Sequence, residues 1–155
     1  MYQRALEGKE KALGRDHTST LDTVNNLGVL YADQGRLAEA ESMYQRALEG
    51  KEKALGRDHT STLDTVNNLG LLYKDQGRLT EAESMYQRAL SGFWVALGPS
   101  HWKTQLVIRN LDLLPLTKDP SAITEPRPPK AKVKILEKLR VKFRGFPKER
   151  ERPPS

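Results

Sequence analysis

The chain has 155 residues, 30% of them charged, a net charge of +6 and no cysteine. Disulfide frameworks and thiolate metal centres are therefore excluded, and no apolar run reaches the ~20 residues that span a bilayer. The N-terminus lacks the basic-then-apolar profile of a signal peptide, so a soluble, cytoplasmic protein is expected. The positive charge is local: residues 118–152 carry twelve Lys/Arg against five Asp/Glu, and the rest of the chain sums to −1.

Residues 1–42 and 43–84 agree at 39 of 42 positions and differ at Val29/Leu71, Ala32/Lys74 and Ala38/Thr80. A third copy begins at Met85 and keeps 10 of its first 14 residues. A fixed period of this length signals a solenoid, in which each unit buries its apolar face only against its neighbours.

In chain order, residues 1–14 align with 43–56, inside the second helix of a unit, and form a half repeat. Residues 17–56 form the first full unit. Its first helix is marked by Leu21, Val24, Leu27, Gly28 and Tyr31 at helical spacing. Ser19 with Asp22 three residues on suits a capping box, with Asp16 or Thr18 as other caps. Gly35 supplies the left-handed stop. A second helix follows through Leu37, Ala40, Tyr44, Ala47 and Leu55, and the short connection makes the pair antiparallel. The small residues Gly28, Ala40 and Ala47 face inward beside the bulk of Tyr31 and Tyr44, as interdigitated helices require. Gly50, by contrast, interrupts the second helix at about 1 kcal/mol relative to Ala. Residues 59–98 repeat the unit. A degenerate helix is expected over 101–114, where Asp112 replaces the packing glycine. In the last full helix Phe93, Trp94 and Val95 stand where the first copy has Lys9, Glu10 and Lys11, and Trp102 replaces Thr18. The 101–114 helix is expected to fold over them.

The pattern Leu27-Gly28-x-x-Tyr31, Gly35, Ala40-x-x-x-Tyr44-x-x-Ala47, repeated at Leu69, Gly70, Tyr73, Gly77, Ala82, Tyr86 and Ala89, resembles the tetratricopeptide repeat. The 42-residue period and the segments Leu-Gly-Arg-Asp-His, Val-Asn-Asn-Leu-Gly and Tyr-Gln-Arg-Ala-Leu resemble the kinesin-light-chain type of that repeat. Similar arrays end large nucleotide-binding receptors. The resemblance covers residues 1–114 and implies an all-α, right-handed superhelical stack of antiparallel helix pairs. It departs at Thr18 and Thr60, where a proline is usual. Two full units with a piece at each end suggest a fragment of a longer array, or open ends covered by a second copy.

Residues 115–155 are rich in proline and charge and are expected to be mostly disordered. A possible helix at 130–144 carries Ile135, Leu136, Leu139 and Phe143 among basic residues, although Leu139, Val141 and Phe143 also alternate as a strand would. This tail supports a second reading, a nucleic-acid or acidic-membrane-surface contact. With few aromatics for base stacking, nucleic acid is the weaker partner.

No catalytic or metal-binding motif is present, so no enzyme activity, metal or cofactor is expected. His17, His59 and His101 recur once per unit. Equivalent residues of stacked helices lie ~8–10 Å apart, too far for the ~2 Å bonds of a shared metal, and a local turn role is expected. Glu39 and Glu41 flank the buried Ala40 and read as a solvated face. The remaining candidate is a peptide-binding groove along the first helices of the units. The inward stripe places Asp22, Asn25, Val29 and Ala32 on it, then Asp64, Asn67, Leu71 and Lys74, then Leu106, Arg109 and Leu113. Asparagine offers donors and an acceptor to any extended backbone. In the resembled family such asparagines hold cargo peptides, and Asn25 and Asn67 match them. A protein or peptide ligand is thus the expected partner, with self-association through the array ends a further possibility.

Overall fold

The computed structural model describes residues 2–115, which form six helices and no strand: α1 (Tyr2–Leu13), α2 (Thr18–Asp33), α3 (Leu37–Leu55), α4 (Thr60–Asp75), α5 (Leu79–Leu97) and α6 (Trp102–Asp112). The expected tail and its 130–144 segment lie outside the described residues. Helices α2 and α3 form one antiparallel hairpin and α4 and α5 the next, while α1 packs on α2 and α6 on α5. We call α2, α4 and α6 the A helices and α1, α3 and α5 the B helices.

The breaks between helices are built from the repeated sequence. Each A helix is capped by a histidine rather than by Ser19 or Thr18: His17, His59 and His101 hold extended backbone, and their Nδ1 atoms accept from the N–H two residues on at 3.2 Å. The imidazole reaches the orphan N–H from outside the helix, so Thr18 becomes its first residue and Asp22 is released to the surface. One turn in, the hydroxyls of Thr20, Thr62 and Thr104 donate to the carbonyls of Gly14, Gly56 and Gly98 at 2.8–2.9 Å. The threonines are fully buried, which pins each B-to-A connection to the core. The A helices stop at Gly35 and Gly77, both at φ +75°. In each, the next residue's N–H returns to the tyrosine carbonyl, Arg36 to Tyr31 at 2.9 Å and Arg78 to Tyr73 at 2.8 Å, the 6→1 bond of a Schellman stop.

Packing inside each hairpin is small against large. Gly28 lies under the Tyr44 ring, where a β-carbon would stand 2.7 Å from Cδ1, and Gly50 receives Leu21, whose Cδ2 would stand 2.6 Å away. Gly50 is therefore a packing site and its helix-propensity cost of about 1 kcal/mol is offset by closer helix approach. Val24, Leu27, Ala40, Tyr44 and Ala47, with their copies Val66, Leu69, Ala82, Tyr86 and Ala89, complete the buried seam. Tyr31 stays at the seam's edge, half-buried, with Arg36 stacked 4.2 Å from its ring centroid. At the end of the array α6 covers Phe93, which is 1% exposed, but leaves Val95 (59%) and Trp102 (65%) in solvent. Only part of the apolar replacement in the third copy is thus covered.

Between hairpins the B helices are joined by Arg46–Glu10 and Arg88–Glu52 pairs at 2.5 Å. Arg78 pairs with Glu41 of the preceding hairpin at 2.8 Å and with Glu81 of its own, its guanidinium 4.0 Å from the Tyr73 centroid. Burial pushes Glu41 upward, but hydrogen bonds from Arg78 and Gln76 outweigh it and hold this carboxyl below its ordinary range.

Candidate peptide-binding face

The A helices stand side by side and their side chains form rungs. Thr65 Oγ1 and Asn68 Nδ2 donate to Asn25 Oδ1 at 3.1 and 3.2 Å, and Asn110 Nδ2 donates to Asn67 Oδ1 at 3.1 Å. The second rung is thinner because Val107 occupies the place of Thr65. Asn67 is buried, 8% exposed, and Asn25 is half-buried. Their carbonyl groups are therefore engaged with the neighbouring helix, which limits the backbone-gripping role expected of them.

The exposure pattern places the crest of the face slightly around the helix from the expected stripe. On α2 the exposed residues are Asp22, Asn26, Val29 and Asp33, while Asn25 and Ala32 lean toward α4 and are half-buried. On α4, Asp64, Asn68, Leu71 and Lys74 are half-buried and Asp75 is exposed. On α6, which has no further A helix beside it among the described residues, Leu106, Arg109 and Leu113 are exposed. Asn26, Asp33 and Asp75 thus join the face. The 3.6-residue period alone could not separate a crest from a flank that a neighbouring helix covers.

The acidic residues of the face are neutralised differently in each tier. Asp22 pairs with Lys51 of α3 at 2.8 Å, and the lysine side chain is 3% exposed, its ammonium also donating to the Ser61 carbonyl at 3.4 Å. In the next tier Phe93 stands in place of Lys51 and Lys103 in place of Ser61. Lys103 then reaches Asp64 from the neighbouring A helix at 2.6 Å, its ammonium 5.7 Å from the Phe93 centroid and 5.6 Å from that of Trp102. The cation has moved from behind the face to its edge, and the carboxylate keeps a partner in both tiers. Comparing the copies reveals the coupled exchange, because two substitutions 42 residues out of register preserve one ion pair.

What the arrangement offers is a ribbed surface of carboxylates and amides around the apolar side chains Val29, Leu71, Leu106 and Leu113. Among the described residues no group of three or more His, Cys, Asp or Glu is placed to hold a metal ion, and no helix is long and apolar enough to cross a membrane.

A stack of helical hairpins stapled by A-helix rungs defines a solenoid of interaction modules. The family model for the tetratricopeptide repeat matches residues 1–53 and 23–93, and the chain belongs to that family. No curated protein matches it in sequence. Among solved structures it is similar to BtubC (BKLC) from P. vanneervenii, with a TM-score of 0.66 and 21% identity over 99% of this chain. The match spans 59% of that protein, and at this identity it shows the fold alone.

Proposed function

We propose that the protein is a non-enzymatic scaffold that holds an extended peptide segment of a partner protein along the face of α2, α4 and α6. The observation that carries this reading is where the two near-identical units differ. Two of their three differences, Val29/Leu71 and Ala32/Lys74, lie on this face, while every residue of the buried hairpin seams is unchanged. The third tier continues the trend, with Leu106 where the earlier units have Asp22 and Asp64. A face that varies from tier to tier on an invariant frame reads successive side chains of a ligand. Aliphatic ligand side chains suit Val29, Leu71 and Leu106, and backbone N–H groups suit the carboxylates between them.

The test uses peptides selected from a displayed library against the full chain. Val29→Arg and Leu71→Arg are expected to weaken their capture at least about tenfold, with unchanged far-UV circular dichroism. Equal capture by both variants would refute the assignment of this face.

A further inference from the structure

Helix α1 has the sequence of a B helix but carries no A helix on its inner seam among the described residues. In α3 and α5 that seam is closed: Tyr44 and Tyr86 are 3% and 0% exposed, Ala47 and Ala89 fully buried. Gly50 and Gly92 lie against Leu21 and Leu63. In α1 the same three residues are open. Tyr2 is 46% exposed, Ala5 and Gly8 are exposed, and a β-carbon on Gly8 would meet nothing within 4 Å. The charges differ in the same way. Lys51 has both the Ser61 carbonyl and the Asp22 carboxylate, whereas the structure gives Lys9 the Ser19 carbonyl at 3.2 Å as its partner.

The closed seams state what fills such a surface. The A helix supplies a leucine that drops onto the glycine, an aspartate next to it that meets the lysine, and a glycine seven residues after the leucine that admits the tyrosine ring. These are Leu21, Asp22 and Gly28 in one hairpin and Leu63, Asp64 and Gly70 in the other, although there Phe93 replaces the lysine. We propose that the open seam of α1 docks one amphipathic helix of a partner protein with the pattern Leu-Asp, five residues, Gly. Its leucine seats on Gly8, its aspartate pairs with Lys9, and its glycine lies beneath Tyr2. A second copy of this chain does not supply that helix. Its α2 and α4 are engaged in their own hairpins, and α6 presents Gln105, Leu106 and Asp112 at the three positions, which removes the leucine knob, the ion pair and the space for the ring.

The experiment adds a fluorescent peptide copying His17–Arg36, which includes its histidine cap and Schellman stop, to the full-length chain and follows anisotropy. Saturable binding is expected. It should fall at least about tenfold with Gly28→Leu in the peptide or Gly8→Leu in the chain, each of which fills the space the other helix needs. Asp22→Asn in the peptide should weaken it less. Gly8→Leu points into open space, so an unchanged circular dichroism spectrum separates a lost seam from a lost fold. Absence of binding overturns the proposal. So does binding that Gly8→Leu leaves intact, equal binding of a peptide copying His101–Pro115, or concentration-dependent dimerisation of the chain without peptide.

Discussion

Replacing Gly70 by alanine probes the spacing that the hairpins depend on. In an open helix the change would stabilise by about 1 kcal/mol, the propensity difference between the two residues. Here the new methyl carbon would stand 2.7 Å from Cε1, 2.8 Å from Cδ1 and 3.2 Å from Cζ of Tyr86. That ring is fully buried and cannot swing into solvent, so the helices must separate. Overpacking of this kind costs about 1–3 kcal/mol, and three close ring contacts place it in the upper half of that range. The net expectation is a loss of about 1–2 kcal/mol. With a urea slope of about 1–3 kcal/mol per molar, the unfolding midpoint followed by circular dichroism should drop by roughly half to one molar. Gly8→Ala is the control, because the same residue in α1 meets no neighbour and should gain about 0.5–1 kcal/mol. A neutral or stabilising Gly70→Ala, or equal behaviour of the two variants, would refute the packing argument.

Three further outcomes are expected. Lys51→Phe should destabilise the first hairpin, and adding Ser61→Lys should recover part of the loss, as in the tier where Phe93 and Lys103 stand. A double-mutant cycle should give a coupling of about 1 kcal/mol, and zero coupling would mean the two exchanges are unrelated. Tyr86→Phe should be neutral or stabilising by up to about 1 kcal/mol, because the buried hydroxyl has no hydrogen-bond partner and its desolvation is uncompensated; a clear loss in chemical denaturation would show an unseen partner. Finally, the Glu41 carboxyl is held below its ordinary value of 4.5 mainly by Arg78 and Gln76 against the opposing effect of burial. Its contribution is therefore present above that value and lost as pH falls through the lower folded-state value. Thermal unfolding between pH 6 and 3 should show a shallower acid loss in Glu41→Gln than in the parent, and identical profiles would count against the inter-hairpin pair.

The hairpins were legible because every packing position is written twice. Gly28, Ala40, Tyr44 and Ala47 recur 42 residues on, and a helical period with a glycine stop fixes element, partner and orientation together. The histidine caps were harder to read. Ser, Thr and Asp are the usual caps, and three of them lie beside His17, so residue preference pointed one position too far along the chain. The face was only half legible for a different reason. A periodicity assigns a residue to a side of its own helix, but Asn25 and Asn67 are covered by the helix alongside, which one unit's pattern does not contain. Gly8 and Gly50 are identical in sequence, yet one is a packing site and the other idle, since only the second meets a leucine.

The central claim, that ligand is read by the A helices over an invariant frame, is tested most directly by amide chemical-shift mapping of the full chain with a selected peptide. Perturbations concentrated at Asp22, Asn26, Val29, Leu71, Lys74 and Leu106 are expected. Perturbations confined to the outward residues of α3 and α5, such as Gln45, Glu49 and Gln87, would contradict it.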